Sequence, residues 1–131
     1  MSAIAAAGTA GSLLVNLGVA LAVTIATEVS VAALLGLRTG YALAIVALTN
    51  VVTNPPLNLI LTLVVWLTRG ASLADPPVLA TLVVLEVIVV IAEWRLLALA
   101  LPEQRSRAFV LSLAMNASSL VVGLAARAVL A

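Results

Sequence analysis

Carboxyl and amide side chains recur at helical spacing inside stretches that otherwise hold mostly Leu, Val, Ile and Ala. Glu28 follows Thr24 by four residues. Asn50, Asn54 and Asn58 fall at i, i+4 and i+8 with Thr53 beside them, which places them on one face of a helix. Glu86 and Glu93 stand seven apart, two turns along one face, and Ser112, Asn116 and Ser119 follow i, i+4 and i+7. Oxygen ligands of this kind suit hard cations such as Na⁺, Ca²⁺, Mg²⁺ or Mn²⁺, and carboxyls inside a membrane suit proton exchange equally well. Glu28 and Glu86 are expected to form the charged centre of a cation or proton site, with Asn50, Asn54 and Asn116 supplying amide oxygens. Thr24, Thr53, Asn58, Ser112 and Ser119 are expected around it. Glu93, two residues before Arg95, is expected to line an entrance or to pair locally with Arg.

Other chemistries lack their residues. The chain has no Cys and no His, which removes thiolate sites, the commonest metal ligand and the usual general base. No haem, Fe–S, Zn or nucleotide signature is present, and no basic patch suits nucleic acid.

The elements that position these groups must lie in lipid. Of 131 residues, 65% are hydrophobic and 8% charged, where a soluble domain carries about a quarter charged. Four apolar stretches each reach the roughly 20 residues that cross a bilayer. They run over 12–37, 41–68, 78–101 and 108–130. The fold class is therefore an all-α membrane protein with four transmembrane helices in one integral domain. The first span stops at "RTG", where Arg38 and Gly40 are expected to make a tight turn. The third follows "DPP" and stops at Pro102. No sequence repeat is obvious. The N-terminus lacks the basic n-region of a secretory signal and reads as retained. Arg38, Arg95, Arg105 and Arg107 outnumber Arg69 and Arg127 across the two sides, so both termini are expected on the side away from the cytoplasm.

Depth singles out the polar set. At 1.5 Å per residue, Glu28, Glu86, Asn116 and Asn50 lie about 13–15 Å from the nearest end of their spans, near the middle of a core about 30 Å thick. An isolated ionised Glu there costs several kcal/mol, so each must be protonated, paired or coordinating. The second span carries Pro55 and Pro56, which withhold N–H groups from the carbonyls one turn earlier. Asn54 before them is a good N-cap. The span is expected to be kinked there, or broken into two half-helices that meet at Asn54-Pro55-Pro56.

The stretches "TIATEVSVAALLGLR", "NVVTNPPLN", "LEVIVVIAEW" and "SLAMNASSLVVGL" together resemble an uncharacterised family of small bacterial four-span membrane proteins, a resemblance that implies no activity. Small multidrug transporters share the size and a first-helix Glu, but their aromatic drug pocket is missing. Fluoride channels share the length, but not the Gly-rich first helix or the Phe filter. The expected function is binding or transport of a cation or proton in the lipid bilayer, by a homo-oligomer or within a larger membrane complex. The alternatives are a membrane-embedded enzyme using Glu acid/base chemistry and a structural or assembly subunit.

Overall fold

The computed structural model describes residues 3–70, 72 and 74–130, with side chains for 11–12, 14–70, 72 and 74–126. Among these it contains four α-helices and no strand: α1 Ala3–Leu34, α2 Gly40–Leu67, α3 Pro76–Ala100 and α4 Ala108–Leu130, with a 3₁₀ turn at Pro102–Gln104. Packing runs round a ring, α1 on α2, α2 on α3, α3 on α4 and α4 on α1. The stripes predicted on separate helices therefore face one axis. Leu14–Leu34, Gly40–Leu67 and Ala108–Ala126 are long and apolar enough to cross a membrane. Their outer faces expose apolar side chains such as Val15, Val52, Leu63, Val110 and Val121, as lipid requires.

Local chemistry sets the helix ends. α1 stops at Leu34, three residues before the expected end. Gly36 takes a left-handed conformation (φ 103°), Leu37 N–H donates to the Ala32 carbonyl and Gly36 N–H to that of Ala33. This is a Schellman cap, and Leu37 buries beside Ala32 to complete it. The turn therefore belongs to Gly36, rather than to Arg38 and Gly40. Gly40 opens α2, with Thr39 Oγ1 capping Ala42 N–H at 3.2 Å. α2 closes on the same cap, with Gly70 N–H on the Val65 carbonyl and Arg69 N–H on that of Trp66. Here the left-handed position falls to a non-glycine, Arg69 (φ 58°). Pro76 and Pro77 fill the first turn of α3, where a missing N–H costs nothing.

α2 is continuous from Gly40 to Leu67, with both prolines inside it. Two half-helices are not what forms. A break would free up to four C=O groups at one new end and four N–H groups at the other, whereas an unbroken helix leaves only the two carbonyls opposite the prolines short of a donor. Asn54 caps nothing. Its Oδ1 accepts from Asn58 Nδ2 at 2.6 Å, and the same nitrogen donates to the Asn54 carbonyl at 3.1 Å.

The bundle is packed differently at its two ends. At the end bearing the α1–α2 and α3–α4 connections, Ala32, Leu37, Val46, Leu97, Leu101, Leu111 and Met115 form the main core. Trp94 and Phe109 meet edge to face at 5.5 Å, and Arg107 Nη2 donates to the Leu35 carbonyl at 2.8 Å, tying α4 to the end of α1. At the α2–α3 end a smaller cluster of Leu61, Val78 and Leu82 holds α2 to α3, beside a cavity.

Candidate functional site

Two carboxyls tie all four helices together one to two turns below the closed end. Glu28 on α1 accepts from Asn50 Nδ2 of α2 at 2.7 Å on Oε2, and from Ser119 Oγ of α4 at 2.9 Å on Oε1. Glu93 on α3 accepts from Thr53 Oγ1 of α2 at 2.8 Å on Oε1, and from Asn116 Nδ2 of α4 on Oε2. Glu28, Asn50 and Glu93 are each 1% exposed and Asn116 is 4% exposed, so both carboxyls are shut off from solvent, while Ser119 is half-buried. Every carboxyl oxygen in it has a partner, as burial demands.

The layer has a two-fold pattern. Each carboxyl is held by the Asn of the following helix, in its own hairpin, and by a hydroxyl of the other hairpin. Thr53 stands three residues after Asn50, and Ser119 three after Asn116. The repeat that residue identity does not display is thus present as an N-x-x-[ST] pairing on α2 and α4. It is matched by a Glu set back six residues from the end of α1 and seven from the end of α3.

This arrangement reassigns several roles. Glu93, and not Glu86, joins Glu28. The expectation that Glu93 lines an entrance or pairs with Arg fails because Arg95 turns the other way, its guanidinium 4.7 Å from the centre of the Trp94 ring. Asn50 and Asn116 present nitrogens to the carboxyls, and each also donates to its own helix, at the Val46 and Ser112 carbonyls (3.1 and 2.9 Å). They act as donors that fix the carboxyls. Asn50 Oδ1 is buried with no partner among the described residues. Ser112, fully buried, donates to the Val90 carbonyl at 2.8 Å and joins α4 to α3.

Glu86 lies one step further toward the α2–α3 end, on the wall of a cavity of about 450 Å³. Among the described residues its carboxyl has no hydrogen-bond partner. Asn54, Asn58, Asn16, Thr24, Asn116 and Ser119 share the wall, and Val19, Val23, Leu57, Leu61, Leu82, Val89, Leu120 and Leu124 supply its apolar part. The layer residues Asn116 and Ser119 form its floor, while Glu28 and Glu93 lie behind them. Glu28 and Glu86 face one interior and are within electrostatic reach. Among the described residues no three acidic, His or Cys side chains gather closely enough to hold a metal ion.

The expected polar set is therefore drawn to the bundle axis, but in two levels. Glu28, Glu93, Asn50, Thr53, Asn116 and Ser119 form the hydrogen-bonded layer, and Glu86, Asn54, Asn58 and Thr24 line the cavity above it. No family model, curated protein or solved structure matches the chain, which leaves this geometry as the ground for a function.

Proposed function

We propose that the chain is a small membrane transport protein or transport subunit that binds a monovalent cation in the cavity, with Glu86 as counter-charge. The observation that carries this reading is a half-buried carboxyl with no hydrogen-bond partner among the described residues, facing a cavity of about 450 Å³. A carboxyl in an apolar setting calls for a proton or a cation. The volume lies in the range of small-molecule pockets. Asn58 Oδ1 and the Asn54 amide N–H groups have no partners among the described residues, so they are available to a ligand. Divalent Ca²⁺, Mg²⁺ or Mn²⁺ fits less well, since these ions draw on several carboxylates and Glu86 is the one carboxyl of the wall among the described residues. An acid/base enzyme loses support for a related reason: Glu28 and Glu93 are sealed in the layer, and among the described residues Glu86 is the one carboxyl on the cavity wall.

In this reading α3 is a fourth span. Its 25 residues reach about 37 Å, and its outer face carries Val83, Val84, Val87, Ile88 and Ile91. The closed end, with Arg38, Arg95, Arg105 and Arg107, faces the cytoplasm of a bacterial inner membrane, and the cavity and both termini face outward. The bilayer is the first partner, and further copies or a larger complex complete the path.

The test is thermal unfolding of the purified chain in detergent, titrated with sodium, potassium, ammonium and tetramethylammonium chlorides at constant ionic strength. At ten times Kd a bound cation adds about 1.4 kcal/mol. Saturable stabilisation by at least one cation, lost in Glu86→Gln, is expected. A flat response to all four, or one that persists in Glu86→Gln, refutes the reading.

A further inference from the structure

Each hydroxyl of the layer stands between two acceptors. Thr53 Oγ1 lies 2.8 Å from Glu93 Oε1 and 3.0 Å from the Thr49 carbonyl oxygen. Ser119 Oγ lies 2.9 Å from Glu28 Oε1 and 3.0 Å from the Asn116 carbonyl oxygen. A hydroxyl owns one proton and two acceptor lone pairs, so it serves one of these acceptors at a time. Pointed at the carboxyl, it donates to a carboxylate. Pointed at its own helix, it turns a lone pair toward the carboxyl oxygen, and that lone pair is matched when the carboxyl carries a proton. The heavy atoms sit at hydrogen-bonding distance in both states. One rotation about a C–O bond separates them.

The remaining contacts are indifferent to the change. Asn50 and Asn116 donate to the second oxygen of each carboxyl whether or not a proton sits on the first. The titratable groups facing the layer are Glu28 from α1 and Glu93 and Glu86 from α3, while α2 and α4 present amides and hydroxyls. Among the described residues no Arg forms an ion pair with either carboxyl: Arg95 lies over Trp94 and Arg107 is spent on Leu35. Two buried carboxyls with no fixed cation among the described residues have the proton as a source of positive charge.

We propose that Glu28 and Glu93 are two proton-binding sites of the same build, each paired with a hydroxyl from the opposite hairpin, Ser119 and Thr53, whose rotation accommodates the gain or loss of the proton. The ligand of the layer is the proton, and Glu86 belongs to the separate site above it. The layer stands whether or not a cation binds in the cavity.

The test is infrared spectroscopy of the full chain in lipid vesicles, cycled in pH. A protonated carboxyl has a C=O stretch that a carboxylate lacks, and its frequency depends on its hydrogen bonds. Two such bands that vanish and return on cycling are expected, one lost in Glu28→Gln and the other in Glu93→Gln. Thr53→Val should shift the Glu93 band alone and Ser119→Ala the Glu28 band alone. These two variants keep both carboxyls, so the test stands even where a Gln variant fails to fold. Glu86→Gln should leave both bands in place. Absence of a titrating band from Glu28 or Glu93 in the folded protein overturns the proposal, as do bands that neither hydroxyl variant moves. If both bands behave as described and no cation stabilises the chain, the cavity reading fails and this one survives.

Discussion

The wiring of the layer can be read out by a double-mutant cycle. Thr53 bonds Glu93 and not Glu28, whereas Ser119 bonds Glu28 and not Glu93. Thr53→Val keeps the shape and removes the hydroxyl. Glu93→Gln keeps the length but replaces one acceptor oxygen with a donor, and Glu93 receives donors on both oxygens. One of them must then turn away. Thr53 has an alternative acceptor 3.0 Å away at the Thr49 carbonyl, so its hydroxyl turns there and accepts from the new amide N–H, and the cycle reads a bond to a carboxyl against one to a neutral amide. Hydrogen bonds between membrane helices average about 0.6 and reach about 1.7 kcal/mol, while those to charged groups in proteins contribute about 1.5–3 kcal/mol. A buried bond of 2.8 Å to a carboxyl belongs where these ranges meet. We expect a coupling of about 1 kcal/mol between Thr53→Val and Glu93→Gln, the difference between a bond to a carboxyl and one to a neutral amide, and the same between Ser119→Ala and Glu28→Gln. Crossed cycles, Thr53→Val with Glu28→Gln and Ser119→Ala with Glu93→Gln, should stay within about 0.5 kcal/mol of additivity. The assay is reversible unfolding in mixed micelles, titrated with a denaturing detergent. Crossed couplings as large as the direct ones would refute the assignment of hydroxyls to carboxyls.

Replacing Arg69 by Gly should raise stability in the same assay by about 1 kcal/mol, because Arg69 occupies a left-handed position that favours Gly (φ 58°). Gly36→Ala should lower it by about the same amount, since φ there is 103°. Pro55→Ala should keep the fold and leave stability unchanged or slightly higher, because it restores a donor to an already continuous helix; a loss above 1 kcal/mol, with an order-of-magnitude allowance of about 0.5, would contradict that reading. Cation binding at Glu86 competes with a proton for the same carboxyl. Affinity, followed by isothermal titration calorimetry, should therefore fall as pH is lowered, by up to about tenfold per unit when one proton competes.

Composition and periodicity made the class and the polar set legible. The Asn50/Asn54/Asn58 stripe does face the bundle axis, because a face polar at i, i+4 and i+8 cannot be left in lipid. Depth was less legible. Glu93 looked peripheral from its nearness to Arg95, yet residues two apart on a helix point about 200° apart. Arg95 lies over Trp94 while Glu93 is 1% exposed. Which atom of each amide meets the carboxyls follows from packing across helices, and residue type alone gives both a donor and an acceptor. The prolines do not break α2 for an energetic reason: the cost of two missing donors is smaller than that of two new helix ends in lipid.

The correspondence between the hairpins ends at the layer. Seven residues before its Glu, α3 carries Glu86 where α1 carries Leu21. Four and eight residues after its Asn, α2 carries Asn54 and Asn58 where α4 carries Leu120 and Leu124. One hairpin bearing Glu, Asn and a hydroxyl could pair with an identical copy and make both halves of the layer at once, but it could not make this cavity wall with amides on one side and leucines on the other.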